Sequence, residues 1–455
     1  MKKILIYNWS RVDDKRGGGV TVYVQNLINA LIKSGEYEVT HLNSGWTYDN
    51  KKKPYIKKIE NNFNSALDCY ELINSPVLAP IEQCAKNLKV YLEDKSLRPI
   101  ISEFIRQQHG FDVIHFNNLE GISLDVLRLK ESFPETKIIY SMHNYFPFCS
   151  RVNLWQNDKS DNPHNCDKTS YEACIKCYEK KEYYTTVSKR RKNTIFTKVI
   201  SRLADTLYRE SRDFTAYQSF TEENIKGINK YVDLVLAVSK RVEEISAGYG
   251  ISKEKLRVSY IGTKVADRAL YECNAKYDGK LLNIAYMGYM RQDKGYYFLV
   301  SCLEQMPDEC AKRINATFAA RYDDNKYNKE VERLNRLKTK CNSITLLNGY
   351  TADTQPEILQ GINLGIVPVL WEDNLPQVAI EQIAYGVPIL VSDLGGAKEL
   401  CADSRFVFKA GDTDDFINKL IDIMDHPNYL EEYWDNVMKL TTIDMHFNEI
   451  KSFYS

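Results

Sequence analysis

Short apolar runs punctuate the chain, with stretches of helical spacing between them. In the first half these runs are "KKILIYNW", "YEVTHLNS", "FDVIHFNN", "TKIIYSMHN", "VDLVLAVS" and "LRVSYIG"; in the second they are "LLNIAYMG", "NATFAA", "SITLLNGY", "LGIVPVLW" and "VPILVSD". Runs this short, alternating with helical patterns such as "TVYVQNLINALIKSG", predict βαβ units and parallel sheets. The alternation lapses over 151–228, where polar, cysteine-bearing and then basic helical sequence takes over. It lapses again over "TKVADRALYECNAKYDGK", which predicts a hinge near 260–280. Two α/β domains facing a cleft follow from this pattern.

Composition narrows the class. At 455 residues, with 44% hydrophobic and 27% charged positions, the chain suits more than one globular core. Lys plus Arg and Asp plus Glu are balanced at 61 each, so no global field favours nucleic acid. No apolar run reaches membrane-span length. "MKKILIYNWSRVDDKR" has too short an apolar stretch for a signal-peptide core and reads as a first buried strand. A cytoplasmic protein is expected, whose eleven cysteines are reduced thiols.

The densest chemistry lies in "WEDNLPQVAIEQIAYGVPILVSDLGGAKEL", residues 371–400. "WEDN" follows a predicted strand, Pro376 suits a first helical turn, and Gly386 ends the helix. The N–H groups of Asn374 to Val378 at that helix start form an anion site at the carboxyl edge of the sheet, where open α/β sheets bind ligands. Two local readings stand for the acids. Glu381 accepts hydrogen bonds from sugar hydroxyls and Asp373 reaches a group beyond the phosphates, or Asp373 is a cap and Glu381 a solvated helix residue.

"DNLPQVAIEQIAYGVPILVSDLGGAKEL" resembles the signature segment of the retaining glycosyltransferases of family 4, whose two acids are separated by seven residues. Asp373 and Glu381 fit that spacing; Glu372, the residue type usual at the first position, is one place off. "GGGVTVYVQNL" resembles the family's N-domain glycine loop, and "IIYSMHNY" the strand that ends in its cleft histidine. The resemblance implies a GT-B fold: two Rossmann-like domains with a nucleotide-sugar in the interdomain cleft. The domains expected are 1–262 on the acceptor side, with a cysteine-rich helical insertion at about 149–228, and 263–435 on the nucleotide-sugar side. A helix within 436–455 is expected to return to the first domain.

The resemblance further implies the site. Asp373 contacts the donor sugar, Glu381 the ribose, and Asn374, Leu375 and Pro376 line the donor. Gly18 and Gly19 bring backbone near the diphosphate or the acceptor, and His143 lies near the reacting centre, although a lone histidine is as often structural. In "MGYMRQDKG" the family's diphosphate pair of arginine and lysine is half present. Lys294 is the main cation and Tyr289 stands where the arginine belongs, with Arg291 two residues on as its substitute. The mechanism implied uses no catalytic metal, moving a sugar from a UDP- or GDP-sugar to a glycan or polyprenyl-linked acceptor in bacterial capsule or lipopolysaccharide synthesis. A non-catalytic nucleotide-sugar- or glycan-binding relative is the alternative that Tyr289 keeps alive.

Cys149, Cys166, Cys174 and Cys177 fall within the insertion and end in a CxxC pair. They suit a closed structural zinc clip, with His164 as a substitute ligand, or are buried thiols. The basic helical stretch 180–202, with Lys189, Arg190, Arg191 and Lys192, is either a peripheral contact with the inner face of the plasma membrane or a solvated helix face.

Overall fold

The structure, a computed structural model, describes residues 1–14, 18–51, 53–80, 87–156, 164–166, 174, 183–191, 195–210, 215–401 and 403–455. The chain divides into two units, Met1–Gly262 with Ile443–Ser455, and Thr263–Thr442.

The first unit is built on β1 (Lys2–Tyr7), β2 (Tyr37–Ser44), β3 (Tyr55–Ile59), β4 (Asp68–Ile73), β5 (Val113–Phe116) and β6 (Lys137–Met142), followed by β9 (Leu234–Ala237) and β10 (Leu256–Val258). They form one sheet in the order β10-β9-β6-β5-β1-β2-β4-β3. Only β3 is antiparallel to its neighbour. Ile4, Ile6, Ile114, Ile139 and Val235 are fully enclosed, as expected for parallel strands covered on both faces. Strand order reverses between β1 and β5, which places a ligand crevice at the carboxyl ends of those two strands. The helix Gly18–Ser34 follows β1 and buries Val24, Leu27, Ile28 and Leu31. The C-terminal helix Ile443–Tyr454 packs against it.

Within 151–228, β7 (Trp155–Gln156) pairs antiparallel with β8 (His164–Asn165), and helices span Tyr183–Arg190, Ile195–Glu210 and Thr215–Tyr231. Among the described residues no helix is long and apolar enough to cross a membrane.

The second unit holds β11 (Leu282–Tyr289), β12 (Ile314–Arg321), β13 (Ser343–Leu347), β14 (Leu364–Val367), β15 (Ile389–Ser392) and β16 (Val407–Phe408). All are parallel, in the order β13-β12-β11-β14-β15-β16. The order reverses between β11 and β14. The loops after those two strands therefore flank this unit's crevice.

Two Rossmann-like units agree with the fold expected from the alternation of runs. Besides the short β7–β8 pair, three strands of the two large sheets were not anticipated. β3 is an edge strand carrying exposed Lys57 and Lys58, and none of its residues is buried. β4, "DCYELI", mixes acids with its apolar positions, and β16 is only two residues long.

Candidate functional site

In the second unit the chain leaves β11 at Tyr289 and turns through residues 290–294 into the helix Tyr296–Gln305. Gly295 makes that turn with φ +76°, and a Cβ there would stand 1.7 Å from the Pro368 carbonyl oxygen. Only glycine fits, so the two switch-point loops pack backbone to backbone. Leu370 N–H donates to the Asp293 carbonyl at 2.9 Å and completes the seam. Across it, Lys294 Nζ donates to Asp373 Oδ2 at 2.6 Å. The ammonium also lies 4.9 Å from the centroid of the Trp371 ring. Lys294 from the β11 loop and Asp373 from the β14 loop thus meet in one crevice.

The neighbouring acids have different partners. Glu372, 4% exposed, accepts from the Gly395 N–H at 2.8 Å, and the Gly396 N–H donates to the Asp373 carbonyl at 2.8 Å. Gly395 adopts φ +69°, and a Cβ there would stand 2.2 Å from the Asp373 carbonyl oxygen. The double glycine is therefore the seat on which the 372–373 backbone rests. The acid one place off the family register holds the loop, while the acid in register meets the lysine.

Pro376 caps the helix Gln377–Ala384 from outside it, in extended conformation, rather than standing in the first turn. Asn374 and Leu375 are buried in the lead-in. Glu381 lies within the helix and is held from elements far away in sequence. Gln355 Nε2 donates to its Oε2 at 2.6 Å and Tyr350 Oη at 3.1 Å. Burial raises the Glu381 pKa above the usual carboxylate range, while these two donors pull it back. It is not the solvated helix residue of the bland reading.

Tyr289 is 47% exposed at the end of β11. Arg291 is committed to its own loop, donating to Asp293 through Nε at 2.9 Å and Nη2 at 2.5 Å. Sequence reasoning passed over Arg321, the last residue of β12, which lies opposite Tyr289 in the strand register. Its exposed guanidinium has no hydrogen bond or ion pair among the described residues. The signal was available: it closes an apolar run, "NATFAA", with a lone cation.

In the first unit, Gly18 and Gly19 open the helix Gly18–Ser34, and Gly18 has φ +57°. Behind them Thr21 Oγ1 meets Ser10 Oγ at 2.8 Å, within a buried network of Asn8, Ser10 and Asn118 at the β1–β5 crevice. His143 follows β6, with its ring centroid 4.4 Å from that of Tyr23. Its Nε2 is buried with no hydrogen-bond partner. Two more histidines crowd the same core. His446 Nε2 is 2.9 Å from Tyr23 Oη, and His115 bonds Tyr454 Oη and Ser141 Oγ, both at 2.7 Å. Burial lowers all three, His115 and His143 to about 3 and His446 to about 4, and mutual repulsion adds to the shift of the first two. All three are neutral at physiological pH.

Of the four cysteines read as a zinc clip, Cys177 lies outside the described residues. Cys149, Cys166 and Cys174 are partly buried. Among the described residues no three His, Cys, Asp or Glu side chains gather to hold a metal ion, so these three do not make a ligand set by themselves. In the basic stretch Lys192 also lies outside the described residues. Arg190 turns inward, donating to the Gly45 and Ala79 carbonyls at 2.6 and 2.9 Å with its guanidinium 4.0 Å from the Trp46 ring centroid.

Residues 17–266 match the family model described as Glycosyltransferase Family 4, and residues 282–426 match that described as Glycosyl transferases group 1. No curated protein matches the chain. Among solved structures, HepE of Anabaena in complex with UDP and glucose is 14% identical, with a TM-score of 0.57 over 100% of this chain and 99% of that chain. Sucrose-phosphate synthase of Thermosynechococcus elongatus is 13% identical, with a TM-score of 0.59 over 100% of this chain and 98% of that one. An α,α-trehalose-phosphate synthase (UDP-forming) of Burkholderia xenovorans, in complex with glucose-6-phosphate, is 11% identical, with a TM-score of 0.60 over 100% of both chains. At such identities the likeness is one of fold, the GT-B fold.

Proposed function

The chain belongs to glycosyltransferase family 4, and on that premise we propose that it is a retaining enzyme whose nucleotide-sugar donor binds at the β11–β14 crevice. The observation that carries this reading is the Lys294–Asp373 pair spanning the two switch-point loops at 2.6 Å. A lysine held by one carboxylate is poised to exchange it for a diphosphate, the stronger counter-charge. The N–H groups that open the helix Gln377–Ala384 add a second anion-binding element.

In the reaction, the bond from the anomeric carbon to the diphosphate oxygen breaks and a bond from the acceptor hydroxyl oxygen forms on the same face. The hydroxyl proton leaves with the diphosphate. Lys294 stabilises the charge that develops on the leaving group. Asp373, released from Lys294, accepts hydrogen bonds from sugar hydroxyls. Glu381, fixed by Gln355 and Tyr350, accepts from the ribose. His143 is neutral at working pH. A uridine donor is favoured by the UDP and UDP-glucose bound in structures of HepE. The acceptor class rests on the family resemblance: a glycan or polyprenyl-linked glycan of a bacterial surface polysaccharide.

Incubation with UDP- and GDP-sugars without acceptor tests the reading. Slow release of nucleoside diphosphate from at least one donor is expected, with the anomeric configuration kept in the transferred product by NMR. Tyr289 in place of a cation favours one second reading, a binding relative without turnover. Tight donor binding with no release from any donor would establish it.

A further inference from the structure

The helix Ile195–Glu210 is amphipathic the wrong way round for a soluble surface. Val199, Ile200, Leu203 and Leu207 are 48%, 49%, 59% and 66% exposed, whereas Asp205 is 6% exposed. At about 100° per residue, these four apolar side chains fall within an arc of roughly 100°. Among the described residues the other exposed large hydrophobics are scattered singly through the chain. An outward apolar stripe on an otherwise ordinary surface marks something that covers it.

The charge around the stripe identifies the cover. Residues 180–202 carry eight lysines and arginines against one glutamate, in a chain whose charges balance at 61 each overall. On the helix itself, exposed Arg202 and half-buried Lys198 border the stripe on one side, and no ion pair neutralises either among the described residues. The preceding helix, Tyr183–Arg190, packs against it. Arg190 pins that helix to the first unit through the Gly45 and Ala79 carbonyls, so the stripe is carried on a fixed support. A protein partner is the weaker fit. Four side chains do not supply the ~800 Å² that each partner buries in a standard interface.

We propose that the helix Ile195–Glu210 is an interfacial docking element that lays Val199, Ile200, Leu203 and Leu207 into the outer part of an anionic lipid bilayer, with Lys198 and Arg202 at the phosphate level. Lipid acyl chains take the apolar face, and anionic headgroups take the cations. This reassigns the membrane contact expected at 180–202. Arg190 is an internal anchor there, and the contact surface lies further along the chain. The inference does not depend on the sugar-transfer reading.

Co-sedimentation of the full chain with vesicles tests it. Binding is expected to vesicles of equal parts phosphatidylglycerol and phosphatidylcholine, and much less to phosphatidylcholine alone. The double variant Leu203→Ser/Leu207→Ser is expected to bind at least about tenfold more weakly, from the apolar area withdrawn. Arg202→Glu is expected to weaken binding to the anionic vesicles while leaving the thermal midpoint unchanged, which separates docking from folding. No binding to either vesicle overturns the proposal, as does binding that the leucine and arginine changes leave intact. Concentration-dependent dimers in light scattering, lost in the double variant, would assign the stripe to a second copy of the chain instead.

Discussion

The two crevices of this molecule are built from opposite materials. In the first unit the β1–β5 crevice and its surroundings are lined mainly by neutral groups, with the buried Glu120 carboxylate, which accepts from Asn144, as the exception. His143, His115 and His446 are held uncharged around Tyr23, beside an amide and hydroxyl network of Asn8, Ser10, Thr21 and Asn118. In the second unit the β11–β14 crevice is lined by formal charges on loops, with Lys294 on Asp373 and Arg291 on Asp293. The same sheet topology thus supports a centre suited to hydroxyl-bearing ligands and one suited to an anionic ligand. Fold alone did not decide the chemistry; the residues at each switch point did.

The largest expected effect tests the neutral centre. A histidine whose folded pKa lies below its unfolded value contributes stability that is fully present above pH 6.5 and lost as pH falls through the folded value. Three buried histidines and the partly buried His143 behave this way, with folded values of about 3 for His115 and His143 and about 4 for His41 and His446. Each contributes up to ~1.4 kcal/mol of lost stability per pH unit over that window. Urea unfolding midpoints should fall steeply from pH 6.5 toward pH 4.5, and His446→Asn should flatten the slope. An unchanged slope would mean that these rings are not held neutral.

Next in size is the charged centre. Lys294→Ala should cut turnover about a hundredfold or more, well beyond what the fall in thermal midpoint from leaving the buried Asp373 carboxylate unpaired accounts for. Near-normal turnover would remove the contrast between the two crevices. Gly395→Ala forces a Cβ onto the Asp373 carbonyl and should cost about 2–3 kcal/mol of stability. A smaller loss in a melting experiment would show that the seat can shift. Glu381→Ala should weaken nucleotide-sugar binding about tenfold, and Tyr350→Phe only a few-fold, since Gln355 still holds the carboxylate. Equal effects of the two would deny Glu381 a direct contact with the donor.

What the sequence revealed of this contrast follows from how locally each part is encoded. Strands buried on both faces stand out as apolar runs, so β1, β2, β5, β6, β9, β11, β12, β14 and β15 were visible, and the edge strands β10 and β13 were visible as apolar runs without such burial. β3 was not, because an edge strand with two lysines carries no such run. The spacing of Asp373 and Glu381 was visible because one loop and one helix hold both. The partners of Glu381 were not, since Tyr350 and Gln355 come from beyond β13, nor was Gly395, which reaches Glu372 from beyond β15. Glu372 was read only as an acid out of register, since nothing local shows that it would fold under onto the double glycine. Arg291 was read as a free cation because its capture by Asp293 depends on how the loop turns. Pairing that relies on chain geometry between distant or tightly turned residues is the part that local pattern does not carry.

The central claim is that Lys294 gives up Asp373 to hold the donor's diphosphate. Isothermal titration of UDP and GDP into the wild-type protein, Lys294→Ala and Asp373→Asn tests it directly. The account predicts that the nucleotide bound by the wild type binds at least about tenfold more weakly to Lys294→Ala. It also predicts that Asp373→Asn binds that nucleotide as tightly as the wild type or more tightly, because the ammonium no longer has to leave a carboxylate. Wild-type affinity in Lys294→Ala, or weakened nucleotide binding in Asp373→Asn, would contradict it.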